Sequence, residues 1–254
     1  VDLNGSDLKI DKLITAQNSG GVTIDQTGAV TILADGDVQS DGTVSVSAQS
    51  ITTAGDIQTT DDDLTFSGAI TLTTAVNLTT GPGAGNILLK NDIQGTTAGA
   101  QHLTLNAGTG DITLLAAAGQ NVTLGQFTIQ SATDVTLQNV IATGLKLHNS
   151  TGLTTLAGSV TTTSSAGVDL NGRDLKIDKL ITTQNSGGVT INQTGAVTIL
   201  ADGDILSDGT DSVSAQSITT AGDIHTTNDD LNISGAVTLT TAVNLTTGPG
   251  AGNI

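Results

Sequence analysis

The chain has 254 residues and a formal net charge of −17, with seven basic residues, no cysteine and only two aromatic residues, Phe66 and Phe127. So few cations argue against a protein that binds phosphate backbones, and nucleic acid is not an expected partner. No apolar run approaches the roughly 20 residues of a membrane span, and the lack of cysteine excludes a disulfide framework. All 24 acidic residues are aspartate, which together with abundant Thr, Val, Ile, Gly and Asn favours strands and tight turns.

A long internal repeat organises the whole chain. Residues 1–87 and 168–254 match without a gap and differ at only eleven positions. Residues 1–167 are therefore interpreted as one complete long repeat, and residues 168–254 as the first half of the next. We expect both to belong to one continuous solenoid taken from a longer array.

The differences between the two copies indicate which positions are buried. Apolar exchanges predict a packed interior at Ile70/Val237, Val38/Ile205 and Phe66/Ile233. Polar exchanges predict solvated positions at Ser6/Arg173, Asp25/Asn192, Gln58/His225 and Asp61/Asn228. Two exchanges fit neither class and are expected at locally wet strand ends: Gln39/Leu206 and Val44/Asp211.

A finer repeat of short strand-like triplets runs through the long one. In chain order the triplets begin at Val1, Val22, Val44, Leu64, Ile87, Leu103, Val122, Val135 and Leu153, and Val168 then opens the next copy. Nine intervals therefore fill 167 residues, with a mean of about 18.6 and individual spacings of 13 to 23. Most intervals contain a second alternating run, which places one face inward and one outward.

Turn signals separate these runs. The tripeptide Gly-Asp-Ile/Val begins at Gly36, Gly55, Gly110, Gly203 and Gly222, and Gly-Asn-Ile begins at Gly85 and Gly252. Glycine accepts a positive φ and Asp or Asn hydrogen-bonds back to the turn. The pattern predicts an all-β, right-handed parallel β-helix (β-solenoid) with 18–19 residues per coil and nine coils per long repeat. A sandwich or propeller would need larger, often aromatic, core residues.

The phrases "GDITLLAAAGQNVTL" at 110–124 and "GAVTILADGDVQSDGTVSVSAQSITTAGDI" at 28–57, within long near-identical units, resemble the giant exported bacterial β-helical adhesins of the filamentous-haemagglutinin type. The resemblance covers essentially the whole chain. It implies an extracellular or cell-surface shaft, and it does not identify a receptor.

Parallel β-helices also include polysaccharide lyases and hydrolases, so clustered carboxylates need consideration. Asp61, Asp62 and Asp63 are the densest cluster, but its copy begins with Asn228, which favours a solvated turn over a catalytic group. The loop "GPGAG" at 81–85 lacks the Lys-Ser/Thr of a phosphate-binding loop and is interpreted as a protruding turn. No catalytic or cofactor-binding residue is predicted.

Two further groups are candidate metal ligands. Asp35, Asp37 and Asp41, copied as Asp202, Asp204 and Asp208, could loosely hold calcium, yet their spacing matches neither an EF-hand loop nor a glycine-rich calcium repeat. His102 and His148 are interpreted as turn or surface residues, and His225 is replaced by Gln58 in the other copy, so no repeated chemistry can depend on it. No metal ligand and no cofactor are predicted.

These inferences favour a non-enzymatic structural shaft, such as a filament, cable or adhesin stalk, that associates with itself along or between solenoids. An adhesin whose coils bind cells or glycans directly is the alternative, and a polysaccharide-active enzyme is a third. Acidic surface charge suits an extracellular polymer because it keeps long particles from aggregating.

Overall fold

The structure, a computed structural model, describes every residue from Val1 to Ile254. The chain is all-β without a helix, and the predicted parallel β-solenoid is confirmed, with about 12 turns of about 21 residues each. Two compact units divide the chain, Val1–Thr133 and Asp134–Ile254, so the boundary between them differs from the boundary of the long repeat.

The first unit contains short parallel strands that stack in three ladders. Its strands are β1 (Asp2–Gly5), β2 (Leu8–Ile10), β3 (Ile14–Ala16), β4 (Val22–Gln26), β5 (Ala29–Ile32), β6 (Val38–Ser40), β7 (Val44–Thr53), β8 (Ile57–Thr59), β9 (Leu64–Leu72), β10 (Val76–Thr79), β11 (Ile87–Leu89), β12 (Ile93–Gly95), β13 (Leu103–Asn106), β14 (Ile112–Leu114) and β15 (Leu124–Ile129). One ladder follows β1, β4, β7, β9, β11 and β14, and a second follows β2, β5, the ends of β7 and β9, and β12. The third follows β3, β6, β8, β10, β13 and β15.

The second unit repeats this arrangement. Its strands are β16 (Val135–Leu137), β17 (Val140–Leu147), β18 (Leu153–Leu156), β19 (Val160–Thr162), β20 (Val168–Gly172), β21 (Asp174–Ile177), β22 (Ile181–Thr183), β23 (Val189–Gln193), β24 (Ala196–Ile199), β25 (Ile205–Ser207), β26 (Asp211–Thr220), β27 (Ile224–Thr226), β28 (Leu231–Leu239) and β29 (Leu245–Thr246). Long strands β7 and β26 each serve two ladders, with an irregularity in register that lets the chain turn from one ladder to the next.

The coil is longer than the 18–19 residues that the triplets predict. Leu103 does not open a coil on the first ladder, because it pairs with Val76 in the third, and Val122 lies in a turn. The real spacing varies from 19 residues between Val38 and Ile57 to 27 between Val76 and Leu103. Similar triplets occur on every ladder. Sequence similarity alone therefore does not distinguish a triplet that opens a new coil from one that lies on another side of the same coil. The right-handed sense stays a prediction.

The alternation of apolar and polar residues along each strand explains why the strands form and where the core lies. On the first ladder, Ile24, Val46, Phe66, Leu89 and Leu114 stand in one inward column and are all 0% exposed. Each apolar side chain therefore packs on its counterpart one coil away, about 4.8 Å along the stack. Most of the buried side chains are aliphatic, and both phenylalanines are fully buried.

The copy differences give two corrections. Val38, Ile205, Phe66 and Ile70 are buried as predicted, while Ile233 is half-buried and Val237 is 46% exposed because β28 pairs only with β26. The prediction of a wet strand end at Val44/Asp211 was wrong, since Val44 is 1% exposed and Asp211 is 0% exposed. A carboxyl group therefore stands in the core of the second unit where the first unit has valine.

Candidate functional site

The corners of the coil carry side-chain ladders built from the Gly-Asp phrases. The Asp37 Oδ1 accepts a hydrogen bond from the Asp56 backbone N–H, 2.8 Å away in the next coil. The Asp56 carboxylate then accepts from the Asn77 N–H at 2.8 Å and from the Asn77 side-chain amide at 2.9 Å. Each side chain therefore bonds its own coil to the following one.

The second unit reproduces this corner. Asp204 accepts from the Asp223 N–H at 2.8 Å, and Asp223 accepts from the Asn244 N–H at 2.7 Å and its side-chain amide at 2.8 Å. A backbone N–H held by a carboxylate is a charge-assisted bond, stronger than a neutral one. The recurring Asp and Asn therefore do more than form turns, because they reinforce the contact between coils.

The aspartate triplet belongs to a second ladder at another corner. Asp63 Oδ1 accepts from the Asn86 N–H at 2.8 Å, and Asn86 Oδ1 accepts from the Asp111 N–H at 2.8 Å. Asp61 has φ of +63° and its carboxylate accepts from the Gly83 N–H. Asp61 and Asp63 therefore both accept hydrogen bonds from the next coil. In the second copy, the bond from the Asn253 N–H to Asp230 matches the bond from Asn86 to Asp63.

The glycines of "GPGAG" are required by close stacking on this corner. Gly81 has φ of +81°, and a Cβ at Gly83 would lie 2.3 Å from the Cγ of Asp61. The next turn lies equally close, since a Cβ at Gly110 would lie 2.0 Å from the Gly85 carbonyl oxygen. The loop was predicted to protrude, but it is packed between two neighbouring turns.

Each aspartate of the candidate calcium cluster contacts a different partner. Asp35 forms an exposed ion pair with Lys12 at 3.5 Å, Asp37 bonds Asp56, and Asp41 Oδ2 accepts from the Ser19 N–H at 2.7 Å. No group of three or more His, Cys, Asp or Glu side chains is arranged to hold a metal ion. The structure therefore does not bring Asp35, Asp37 and Asp41 together as a ligand set.

The histidines are likewise separate. His102 is exposed and its Nδ1 accepts from the Gln126 N–H at 2.7 Å, which bonds two neighbouring coils. His148 is exposed, and the Nδ1 of His225 hydrogen-bonds the Thr246 hydroxyl. The predicted surface position of His102 and His148 is confirmed, while His225 is half-buried in β27.

The bond from Asp41 stabilises a strained turn. Asn18 and Ser19 both have positive φ, 58° and 59°, a conformation that costs L-residues roughly 1–2 kcal/mol each. We expect Asp41→Ala to destabilise the first unit by about 1 kcal/mol and to speed hydrogen exchange at the Ser19 amide. Asp208→Ala is the matched variant, since Asp208 accepts from the Ser186 N–H at 2.9 Å. Unchanged exchange at both amides would contradict this role.

The hydrogen bonds at the corner are also expected to lower the pKa of a carboxylate, that of Asp223, by a measurable amount. Hydrogen bonds from the Asn244 side chain and backbone hold the pKa of Asp223 below its usual 3.8. Because the folded pKa is lowered, this contribution to stability is present above pH about 4 and is lost as pH falls through the folded pKa. Carboxyl NMR titration is expected to show a low pKa for Asp223 and a return towards 3.8 in Asn244→Ala. An identical pKa in both proteins would argue against the ladder.

One buried ionisable group was missed from the sequence. Asp211 opens β26, its Oδ1 accepts from the Val189 N–H at 2.8 Å, and its buried Oδ2 has no partner. Burial, with a smaller contribution from the charge of Asp229, raises the pKa of this carboxyl to about 6, against the lowering effect of the hydrogen bond from the Val189 N–H. The only signal in the sequence was the apolar-to-acidic exchange with Val44.

A polar surface groove of about 440 Å³ was also missed. It lies on the third ladder of the first unit, where Thr15 pairs with Gln39 and Gln39 with Gln58. Its lining is Thr15, Ala16, Gln17, Asn18, Gln39, Ser40, Asp41, Gln58 and Thr60. The exchange Gln39/Leu206 was the available signal, and its predicted wet position is confirmed, since Gln39 is exposed and Leu206 is 43% exposed.

No protein-family model, curated protein or solved structure shows significant similarity to this chain. The chain also forms no helix long and apolar enough to cross a membrane.

Proposed function

We propose that the chain is a non-catalytic structural shaft of a giant extracellular or cell-surface repeat protein, as a filament, cable or adhesin stalk. The observation that carries the proposal is the bonding between coils. Within each unit, parallel ladders join strand to strand, and aspartate and asparagine side chains add further bonds at the corners.

The mechanism is cooperative resistance to extension. Hydrogen bonds of a parallel ladder run between coils, so pulling the coils apart stretches many bonds at once. Each bond contributes roughly 0.5–1.5 kcal/mol net, and the apolar columns beneath them add packing between the same coils. In a solenoid, stability comes from neighbouring turns, so added repeats extend reach and keep the same contacts.

The sequence resemblance supports an extracellular setting. The quoted phrases and the long near-identical units are similar to exported β-helical adhesins, and an acidic surface suits a long particle that must remain dispersed. We further propose that such shafts associate with themselves along or between solenoids. The resemblance supplies no receptor.

Two measurements test the shaft. Electron microscopy of native full-length material is expected to show thin rods with a repeat of about 4.8 Å per coil. Pulling single molecules is expected to release the chain in steps of whole coils, because a coil loses its bonds as a unit. Compact particles, or smooth extension at negligible force, would overturn the proposal. Turnover of a polysaccharide by the purified chain would favour the enzyme instead.

A further inference from the structure

The groove on the third ladder of the first unit presents a row of unpartnered amide groups. Thr15, Gln39 and Gln58 occupy the same outward position in three successive coils. Both glutamines are exposed, and neither side-chain amide hydrogen-bonds within the protein. Elsewhere on this surface, asparagine amides are used for bonds between coils, as in Asn77 and Asn86. The two glutamine amides are therefore free for an external partner.

We propose that this groove binds a neutral glycan. Each glutamine amide offers two donors and an acceptor oxygen, and the Thr15 hydroxyl adds one of each. Successive groups lie about 4.8 Å apart along the stack, so they can reach hydroxyl groups on an extended chain of sugars. A polyol matches such a row because every hydroxyl both donates and accepts.

The charge and polarity of the groove favour a neutral glycan over anionic, apolar and cationic ligands. The groove contains no cation, Asp41 lies in its wall, and the chain has a net charge of −17, so sulfated and uronic-acid glycans are repelled. Its side chains are amides, hydroxyls and one carboxylate apart from Ala16, which leaves little surface for an apolar ligand. The Asp41 carboxylate is already bonded to the Ser19 N–H, which weakens the case for a cationic ligand.

The long repeat contains its own control for this site. In the second unit the matching column is Thr182, Leu206 and His225, in the same register. Leu206 has no polar group, and the His225 ring is bonded to Thr246. The same fold therefore tolerates both versions, and the second version lacks the free amides. Binding is expected in the first copy alone.

The groove has no aromatic residue on which a sugar ring could stack, so single-site affinity is expected to be weak, with Kd on the order of 1 mM. Repetition of the groove along a longer array would raise the overall affinity through multivalency. The inference does not rest on the proposed shaft, because a single folded unit would bind whether or not it resists tension.

The test uses the ¹⁵N-labelled 254-residue chain. Cellohexaose and maltohexaose are the neutral probes, and a heparin-derived hexasaccharide is the anionic probe. A neutral probe is expected to shift the side-chain amide signals of Gln39 and Gln58, while the anionic probe leaves them unchanged. The double variant Gln39→Leu/Gln58→His, which copies the second unit, is expected to weaken binding about ten- to a hundredfold.

The reciprocal variant Leu206→Gln/His225→Gln is expected to create a second binding groove, and it keeps the test decisive if the first variant folds poorly. Circular dichroism and hydrogen exchange check that both variants are folded. The proposal is overturned if neither neutral probe moves the glutamine signals, if the double variant binds as well as the parent, or if the anionic probe binds in preference.

Discussion

Replacing Asp211 with valine is expected to stabilise the second unit by about 3 kcal/mol at pH 8. The variant restores the residue that the first copy has at Val44, which is 1% exposed in the same inward position. The difference between the ordinary pKa of 3.8 and the folded pKa of about 6 corresponds to about 3 kcal/mol of penalty on the ionised form. Valine removes that penalty and buries apolar surface instead.

The pH dependence of this effect has a definite sign. Below pH about 4 the Asp211 carboxyl is protonated in both the folded and the unfolded chain, and no charge is buried. Between about pH 4 and 6 the folded state binds the extra proton, so stability contributed by Asp211 falls as pH rises. The charge that acts on Asp211 is another carboxylate, Asp229, which disfavours its ionisation.

The measurement compares the variants with the parent at pH 4 and pH 8 by urea unfolding and by hydrogen exchange in β26. The gain from Asp211→Val is expected to be several-fold larger at pH 8, and Asp211→Asn should show the same pH trend because it cannot ionise. Val44→Asp is the reciprocal variant and should introduce the penalty into the first unit. A gain of equal size at both pH values would show that Asp211 is not the titrating group.

Replacing Gly110 with alanine is expected to destabilise the first unit by about 3 kcal/mol, at the upper end of usual overpacking costs. The added Cβ would lie 2.0 Å from the Gly85 oxygen and 2.5 Å from the Gly85 carbonyl carbon. Neither is the end of a flexible side chain. The turn is also fixed on both sides, since the Thr109 N–H bonds the Gly83 oxygen at 2.9 Å and the Thr133 N–H bonds the Gly110 oxygen at 2.7 Å.

Gly5→Ala is the matched control for this crowding. Its new Cβ would meet only the end of the Gln26 side chain, with the Oε1 at 3.0 Å and the Cδ at 3.9 Å, so a cost below about 1 kcal/mol is expected. Urea unfolding followed by circular dichroism measures both variants, with hydrogen exchange around residues 81–86 as the local readout. Equal stability of the two variants would mean that the stacked turns relax easily, and that they do not hold the corner rigid.

Much of this fold follows from short-range patterns in the chain. Alternation in phrases such as "VTIDQ" at 22–26 places Val22 and Ile24 inward, and their burial is confirmed. The aliphatic composition excluded a sandwich with a large aromatic core, and the copy exchanges identified Phe66 as an interior position. These features are local, because side-chain direction in a strand has a period of two whatever the strand packs against.

Coil length and site geometry depended on tertiary structure instead. Which strand pairs with which is fixed by loops of unequal length, so the triplet at Leu103 looked like a new coil although it continues another ladder. The sequence identified Asp, Asn and Gly as turn formers. Only the stacked coils made Asp56 an acceptor for Asn77 and placed Gly83 against Asp61.

Burial of single polar groups was the least predictable feature. The exchanges Val44/Asp211 and Gln39/Leu206 were equally anomalous in the sequence. The Asp211 carboxyl nevertheless lies in the core, whereas the Gln39 amide lines an open groove. The difference is which way each side chain points within its ladder. A local pattern shows that a strand has two faces, but whether a given face is covered depends on neighbours some 20 residues away, because burial is a property of the packed coils.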